Sequence, residues 1–153
     1  MRRLTFTLAL VTLASSAHAQ STWRSEYTRS MGAVESKFMA LATVTPWDKY
    51  SYTPGKGVRT TCEVFMHIAL ENYQLMEPLG TPIPASVDQK NMEKCPASKD
   101  ATLAAMRASF DFARNAVAKT SDAEADKMVK LFGSDVTKRG LLLATAEHAG
   151  EHL

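Results

Sequence analysis

The sequence lacks any apolar run long enough to cross a bilayer. Its longest, from Leu4 to Ala14, falls well short of the roughly 20 residues that a membrane-spanning helix takes. Basic clustering is also missing. The lysines and arginines are scattered and never interleave with aromatics, so there is no stripe of the kind nucleic-acid binding requires. Nucleic acid is therefore not an expected partner. Cysteine is scarce, with only Cys62 and Cys95, and no CxxC or His-paired arrangement marks either as catalytic. Internal repeats, low-complexity segments and a convincing alternating strand pattern are absent as well. Histidine is rare, with four in 153 residues.

What is present begins with the first twenty residues, MRRLTFTLALVTLASSAHAQ. Two arginines, a short apolar core and the small-residue triplet Ala17-His18-Ala19 fit a secretory signal peptide cleaved before Gln20. The expected organisation is thus a signal peptide at 1–19 and one domain at 20–153, in a secreted or periplasmic protein. Removing nineteen of the 153 residues leaves 134, enough for a single domain with a real core. Losing Arg2 and Arg3 takes Lys plus Arg from 18 to 16, equal to the 16 Asp plus Glu, so the mature chain is formally neutral. His18 goes too. The histidines that remain are His67, His148 and His152.

Periodicity predicts four principal helices. In the first, Trp23, Tyr27, Met31, Val34, Phe38 and Leu41 form one apolar stripe, ended by Thr45-Pro46. The segment TPWDKYSYTPGKGV is a loop whose three aromatics fold back over the bundle. Thr60-Thr61-Cys62-Glu63 matches a capping box and opens a second helix running to about Leu79, with Cys62, Phe65, Ala69, Tyr73 and Met76 inward. The stretch from Thr81 to Pro96 has prolines and no helical period. It reads as a long surface connection, long enough for a crossover rather than a tight hairpin. The third helix starts near Ser98 and buries Leu103, Met106, Phe110, Ala113 and Val117. Ser121-Asp122-Ala123-Glu124 is another capping box, opening a short turn or helix that carries Met128, Leu131 and Phe132 to Gly133. The last helix starts around Thr137 and runs through Leu141, Thr145, His148 and His152. The expected fold is an all-α four-helix bundle with a long connection between helices two and three.

The chain closes on EHAGEHL, an HxxxH unit. Residues four apart on a helix share a face, about 5–6 Å between Cβ atoms, so two imidazoles at that spacing can reach one ion. Taken alone, the pattern is more often a solvated polar face than a metal site. Two features raise it. His148 and His152 continue the inward line through Leu141 and Thr145, while Glu147 and Glu151 lie about 100° away. His67 sits mid-helix in the apolar stretch CEVFMHIAL. A lone histidine there is usually a satisfied core residue, but this one would supply the third ligand that the pair needs. Three neutral imidazoles without a thiolate make an open site, the arrangement expected of catalysis.

At YSYTPGKGVRTTCEVFMHIALENYQL, KLFGSDVTKRGLLLATAEH and EHAGEHL, the chain resembles the DinB-like (DinB/YfiT) superfamily of four-helix metalloenzymes. The resemblance covers most of the mature chain. It implies one metal-ligating histidine on the second helix and an HxxxH on the fourth, which fall on His67, His148 and His152. It also implies a divalent metal, commonly zinc or nickel, an unusual helix order and no DNA binding. Relatives continue the last helix beyond the HxxxH, so an ending at Leu153 reads as truncation. Among relatives are thiol-dependent S-transferases and a thiol-dependent isomerase. Export speaks against a cytosolic thiol, so the expectation is a metal-dependent hydrolase or thiol-dependent transferase acting on a small molecule of unspecified identity.

Glu63, one turn before His67, and Glu71, one turn after, share that histidine's helix face. Either is a candidate to orient the imidazole or shuttle a proton. Capping for Glu63 and solvent for Glu71 are equally good readings, and Asn72 and Tyr73 are weaker pocket candidates. The competing functional class is a non-catalytic periplasmic bundle that holds a metal or ligand; a purely structural bundle with core histidines is a third. A homodimer is compatible with any of these. Two cysteines in an exported chain permit a disulfide, and a buried free thiol at Cys62 is an equally ordinary outcome.

Overall fold

The computed structural model describes residues 23–153, and the expected signal peptide lies outside the described residues. Four long helices carry the architecture: α1 (Arg2–Val44, described from Trp23 onward), α2 (Thr61–Gln74), α3 (Lys99–Lys119) and, after a short helix α4 (Asp122–Ala125) and a β-hairpin, α5 (Lys138–Glu151). The bundle is broadly all-α, as expected.

Each helix buries the stripe its sequence presents. In α1 the core takes Tyr27, Met31, Phe38 and Ala42; Leu41, assigned inward from spacing, is 42% exposed. The steps from 27 to 31 and from 38 to 42 keep one face, and residue 41 lies about 100° off Ala42. After α1, only one of the three loop aromatics folds in. Tyr50 is buried and its hydroxyl donates to the Ala42 carbonyl at 2.7 Å, whereas Trp47 and Tyr52 stay largely exposed.

The capping box of α2 is complete. Thr60 Oγ1 accepts from the Glu63 amide at 3.2 Å, and Glu63 Oε2 accepts from the Thr60 amide at 2.7 Å. The helix passes into a 3-10 turn at Glu77–Leu79 and stops at Gly80, whose φ of 95° is one that glycine adopts without strain. The inward residues Cys62, Phe65, Ala69, Tyr73 and Met76 are all buried, as are the five stripe residues of α3.

The close helix pairs are α2 with α3, α1 with α3, and α1 with α5, giving the order α1, α3, α2, α5 around the bundle. The α2–α3 connection joins neighbours in that order, yet it crosses back over the bundle, as its length allowed, and is no tight hairpin. Cys62 lies against Thr102, and further along both helices Asn72 Nδ2 donates to Ser109 Oγ at 3.1 Å, so α2 and α3 run parallel. Parallel neighbours need a return segment as long as the helix. Three links trace it back along α2: Gln74 to Gln89, His67 to Glu93, and the Cys62–Cys95 disulfide, with Cα atoms 5.5 Å apart. From residue 62 to 74 the helix rises about 18 Å, and residues 89 to 94 lie along it as a run of turns, with the Lys94 amide donating to the Asn91 carbonyl at 2.9 Å. The loop is a strap lying antiparallel on α2.

Between α3 and α5 the helical expectation fails. Met128–Leu131 and Ser134–Thr137 form antiparallel strands β1 and β2, with Val129 opposite Val136. Met128, Leu131 and Phe132 mimic helical spacing, but what decides the structure is the alternation of half-buried Val129 and Leu131 with exposed Met128 and Lys130. Phe132 and Gly133 have φ of 48° and 88°, the positive pair of a two-residue hairpin turn. At α4, Ser121 caps as expected, accepting from the Glu124 amide at 3.2 Å. The Glu124 carboxylate does not close the box; it turns to Lys127 and Lys138 instead.

Candidate metal centre

The seam between α2 and α5 holds the three histidines. His67 comes from the middle of α2 because its face is the one turned from α3. His148 comes from the last turn of α5 and His152 is its C-cap, both below buried Leu141, Leu142 and Thr145. Their ring centroids lie 5.6 Å (67 to 148), 5.0 Å (67 to 152) and 4.7 Å (148 to 152) apart. One nitrogen from each ring can be chosen so that all three lie within 4.8 Å of one another. His152 Nε2 is 3.2 Å from His148 Nε2. In tetrahedral coordination with metal–nitrogen bonds of about 2.0–2.1 Å, ligand nitrogens stand about 3.3 Å apart. One edge of the triangle is thus already at coordination spacing.

Carboxylates surround the rings. Glu71, one turn below His67, is 18% exposed at its side chain; its Oε1 lies 3.4 Å from His67 Nε2 and its Oε2 2.5 Å from His148 Nε2. Despite that proximity Oε2 makes no aligned hydrogen bond and is buried. A buried carboxylate oxygen without a hydrogen bond is costly unless something positive meets it. This oxygen lies against His148, and the carboxylate's other oxygen lies against His67, at the edge of a three-imidazole donor set that fits a divalent cation. The three-histidine cluster can hold a metal ion.

On its far side, His67 Nδ1 meets Glu93 Oε1 at 2.7 Å. A carboxylate acceptor there makes Nδ1 the donor and leaves the Nε2 lone pair directed at the cluster. Glu93 is itself forked by Arg59, whose Nε and Nη2 make three contacts to the carboxylate, each at 3.3 Å. Burial raises the pKa of Glu93, but the hydrogen bond from His67 and the Arg59 charge outweigh it, and the net shift is downward. His152 is held below the usual imidazole value by burial first, then by the charges of His148, His67 and Arg59. That favours the neutral ring, the form a metal takes.

Of the residues singled out from sequence, His67, His148, His152 and Glu71 converge. Glu63 is one turn away with its carboxylate engaged in the α2 cap, and the Thr60 backbone hydrogen bond is the main cause of its lowered pKa. Asn72 faces α3 through Ser109, and the Tyr73 ring packs tilted against Phe112 with centroids 4.8 Å apart, so neither lies against the histidines. Glu93 had no signal of its own, standing in an aperiodic segment. Only the Cys62–Cys95 pairing would have placed it beside α2. A cleft of about 610 Å³ lined by Gly57, Val58, Arg59, Val64 and His152 opens beside the rings.

A parallel α2–α3 pair, a helical bundle closed by a hairpin and a tri-histidine seam define a class of metal-site bundles. The chain belongs to the DinB superfamily, whose family profile matches residues 31–153. A DinB-like protein from Bacillus cereus ATCC 10987 shares the fold, with a TM-score of 0.70 at 15% identity over 82% of this chain and 83% of that one. No curated protein matches the sequence.

Proposed function

We propose that this protein is an exported enzyme that holds a divalent metal, zinc or nickel, on His67, His148 and His152. Its reaction is hydrolysis or thiol-dependent transfer on a small molecule. The observation that carries the reading is the convergence of one nitrogen from each of His67, His148 and His152 to within 4.8 Å of one another, with the Glu71 carboxylate against two of the three rings. The bound ion supplies a lowered pKa for the nucleophile, water or thiol. Around it the side chains divide the work. Glu71 Oε2, buried and free of hydrogen bonds, takes the proton of the attacking O–H or S–H. Arg59, on the wall of the cleft beside His152, holds Glu93 through Nε and Nη2 and offers its remaining Nη1 to an anionic group of the substrate. Export is supported by the opening sequence and by the disulfide, which persists in oxidising compartments.

The test is turnover by the zinc- or nickel-loaded protein on ester, amide and thiol-transfer panels. Glu71→Gln is expected to keep the metal and lower kcat by roughly 10²–10⁴, while His67→Ala loses metal and activity together. A loaded protein inert across all three panels would contradict the enzyme reading and leave a metal-binding bundle. Fractionation supplies the export check: the secreted chain should begin at Gln20 by mass spectrometry, and an intact Met1 terminus would overturn export.

A further inference from the structure

The strap along α2 is fastened at one place by a covalent bond and at another by the contact between Glu93 and His67. These two fastenings are close. Glu93 stands two residues before Cys95, and Cys95 is bonded to Cys62 in the first turn of α2, five residues before His67. Between Cys62 and His67 the helix rises about 7.5 Å, and Glu93, in a turn closed by the Lys94 amide donating to the Asn91 carbonyl at 2.9 Å, stands two residues from the bridge. The disulfide therefore brings Glu93 level with the His67 ring. Besides the disulfide, the segment is held by half-buried Met92, which packs against the core, and by two exposed polar links, Arg59 to Glu93 at 3.3 Å and Gln74 to Gln89 at 3.4 Å. Exposed links of that kind are weak.

We propose that Glu93 is a positioning residue for the histidine site and that the Cys62–Cys95 disulfide is what delivers it, so that metal affinity depends on the oxidation state of this cysteine pair. Glu93 acts through His67. By accepting from Nδ1–H it fixes the tautomer and the ring plane, and it keeps the Nε2 lone pair aimed between His148 and His152. Arg59 in turn fixes the carboxylate from outside. Opening the disulfide is a two-electron reduction that consumes two equivalents of thiol and yields two cysteines plus the reductant's own disulfide. It frees the strap and, with it, Glu93. A metal site assembled this way reaches full affinity in an oxidising compartment and is weakened by thiols.

The inference rests on the metal reading above, and its test separates the two. Zinc affinity of the full-length protein is measured by competition with a chelator for wild type, Glu93→Gln, Glu93→Ala, Cys95→Ala and the Glu93→Ala/Cys95→Ala pair. Circular dichroism confirms that each is folded. Cys95 is the cysteine to change, because it is exposed and leaves the Cys62 thiol in its buried place. Glu93→Ala is expected to weaken binding about 10- to 100-fold, with Glu93→Gln in between. Cys95→Ala should weaken it comparably, and the double variant should be no weaker than Glu93→Ala alone. In nitrogen NMR of the metal-free protein, His67 should show a protonated Nδ1 that becomes a tautomer mixture in Glu93→Ala and Cys95→Ala. Wild type binding no zinc would sink the metal reading itself. Wild type binding zinc with Glu93→Ala within threefold of it would overturn the positioning role. Multiplying losses in the double variant would overturn the delivery by the disulfide.

Discussion

Tyr27 is the residue whose environment is least explained by its chemistry. Its hydroxyl is buried, finds no hydrogen-bond partner among the described residues, and its pKa is raised by burial. An unsatisfied buried hydroxyl costs about 1–3 kcal/mol, so Tyr27→Phe is expected to leave stability unchanged or raise it by about 1 kcal/mol. Urea unfolding reads this directly, and a loss above about 1 kcal/mol would mean the hydroxyl has a partner. Glu71 has the same defect, a buried oxygen without a hydrogen bond, but sits among imidazoles. The contrast shows how far sequence reaches at this scale. The histidines were legible because HxxxH and a mid-helix histidine on an apolar face are periodic signals. Glu71 was legible as a position, one turn from His67, but not as a buried group, because burial depends on α5 closing over it. Glu93 was invisible. Its role depends on a disulfide that composition alone left open.

Among the elements, the helices follow their stripes and the hairpin does not. Lys130 and Asp135, 2.8 Å apart across the strands, and half-buried Val129 and Val136 favour pairing over one more helical turn. The sequence signal was there in Phe-Gly between Val129 and Val136, but Met128, Leu131 and Phe132 fit a helix equally well. Phe132 takes φ of 48° while 90% exposed, so it gains little from burial and bears the left-handed backbone cost. Phe132→Asn should raise stability by about 1 kcal/mol; a lower urea midpoint would mean that the ring packs on something. The strap teaches a related lesson. Its length, read as room for a crossover, follows from the parallel arrangement of α2 and α3, a tertiary fact that local pattern does not carry.

For the whole molecule, one polar cluster ties three segments together. Lys138 is buried at the start of α5, and its Nζ donates to the Leu79 carbonyl at 3.3 Å and to Glu124 at 2.8 Å. Hydrogen bonds from Lys127 and then Lys138 hold the Glu124 carboxyl down from 4.5 to about 2. A carboxylate with a depressed folded-state pKa contributes stability above its unfolded value and loses it as pH falls through the folded one. Wild type should therefore lose stability more steeply than Glu124→Gln between about pH 4.5 and pH 2; parallel acid limbs in urea unfolding would contradict the pairing. At the other end of the bundle, α2 and α5 meet across imidazoles rather than apolar side chains. A bound ion should therefore tie the two helices together and raise Tm with its concentration. The most direct measurement is a calorimetric titration of zinc into chelator-stripped full-length protein beside His67→Ala and His148→Ala. About one ion per chain is expected in wild type and none of comparable affinity in either variant. No binding in wild type, or equal binding in all three, would contradict the tri-histidine site.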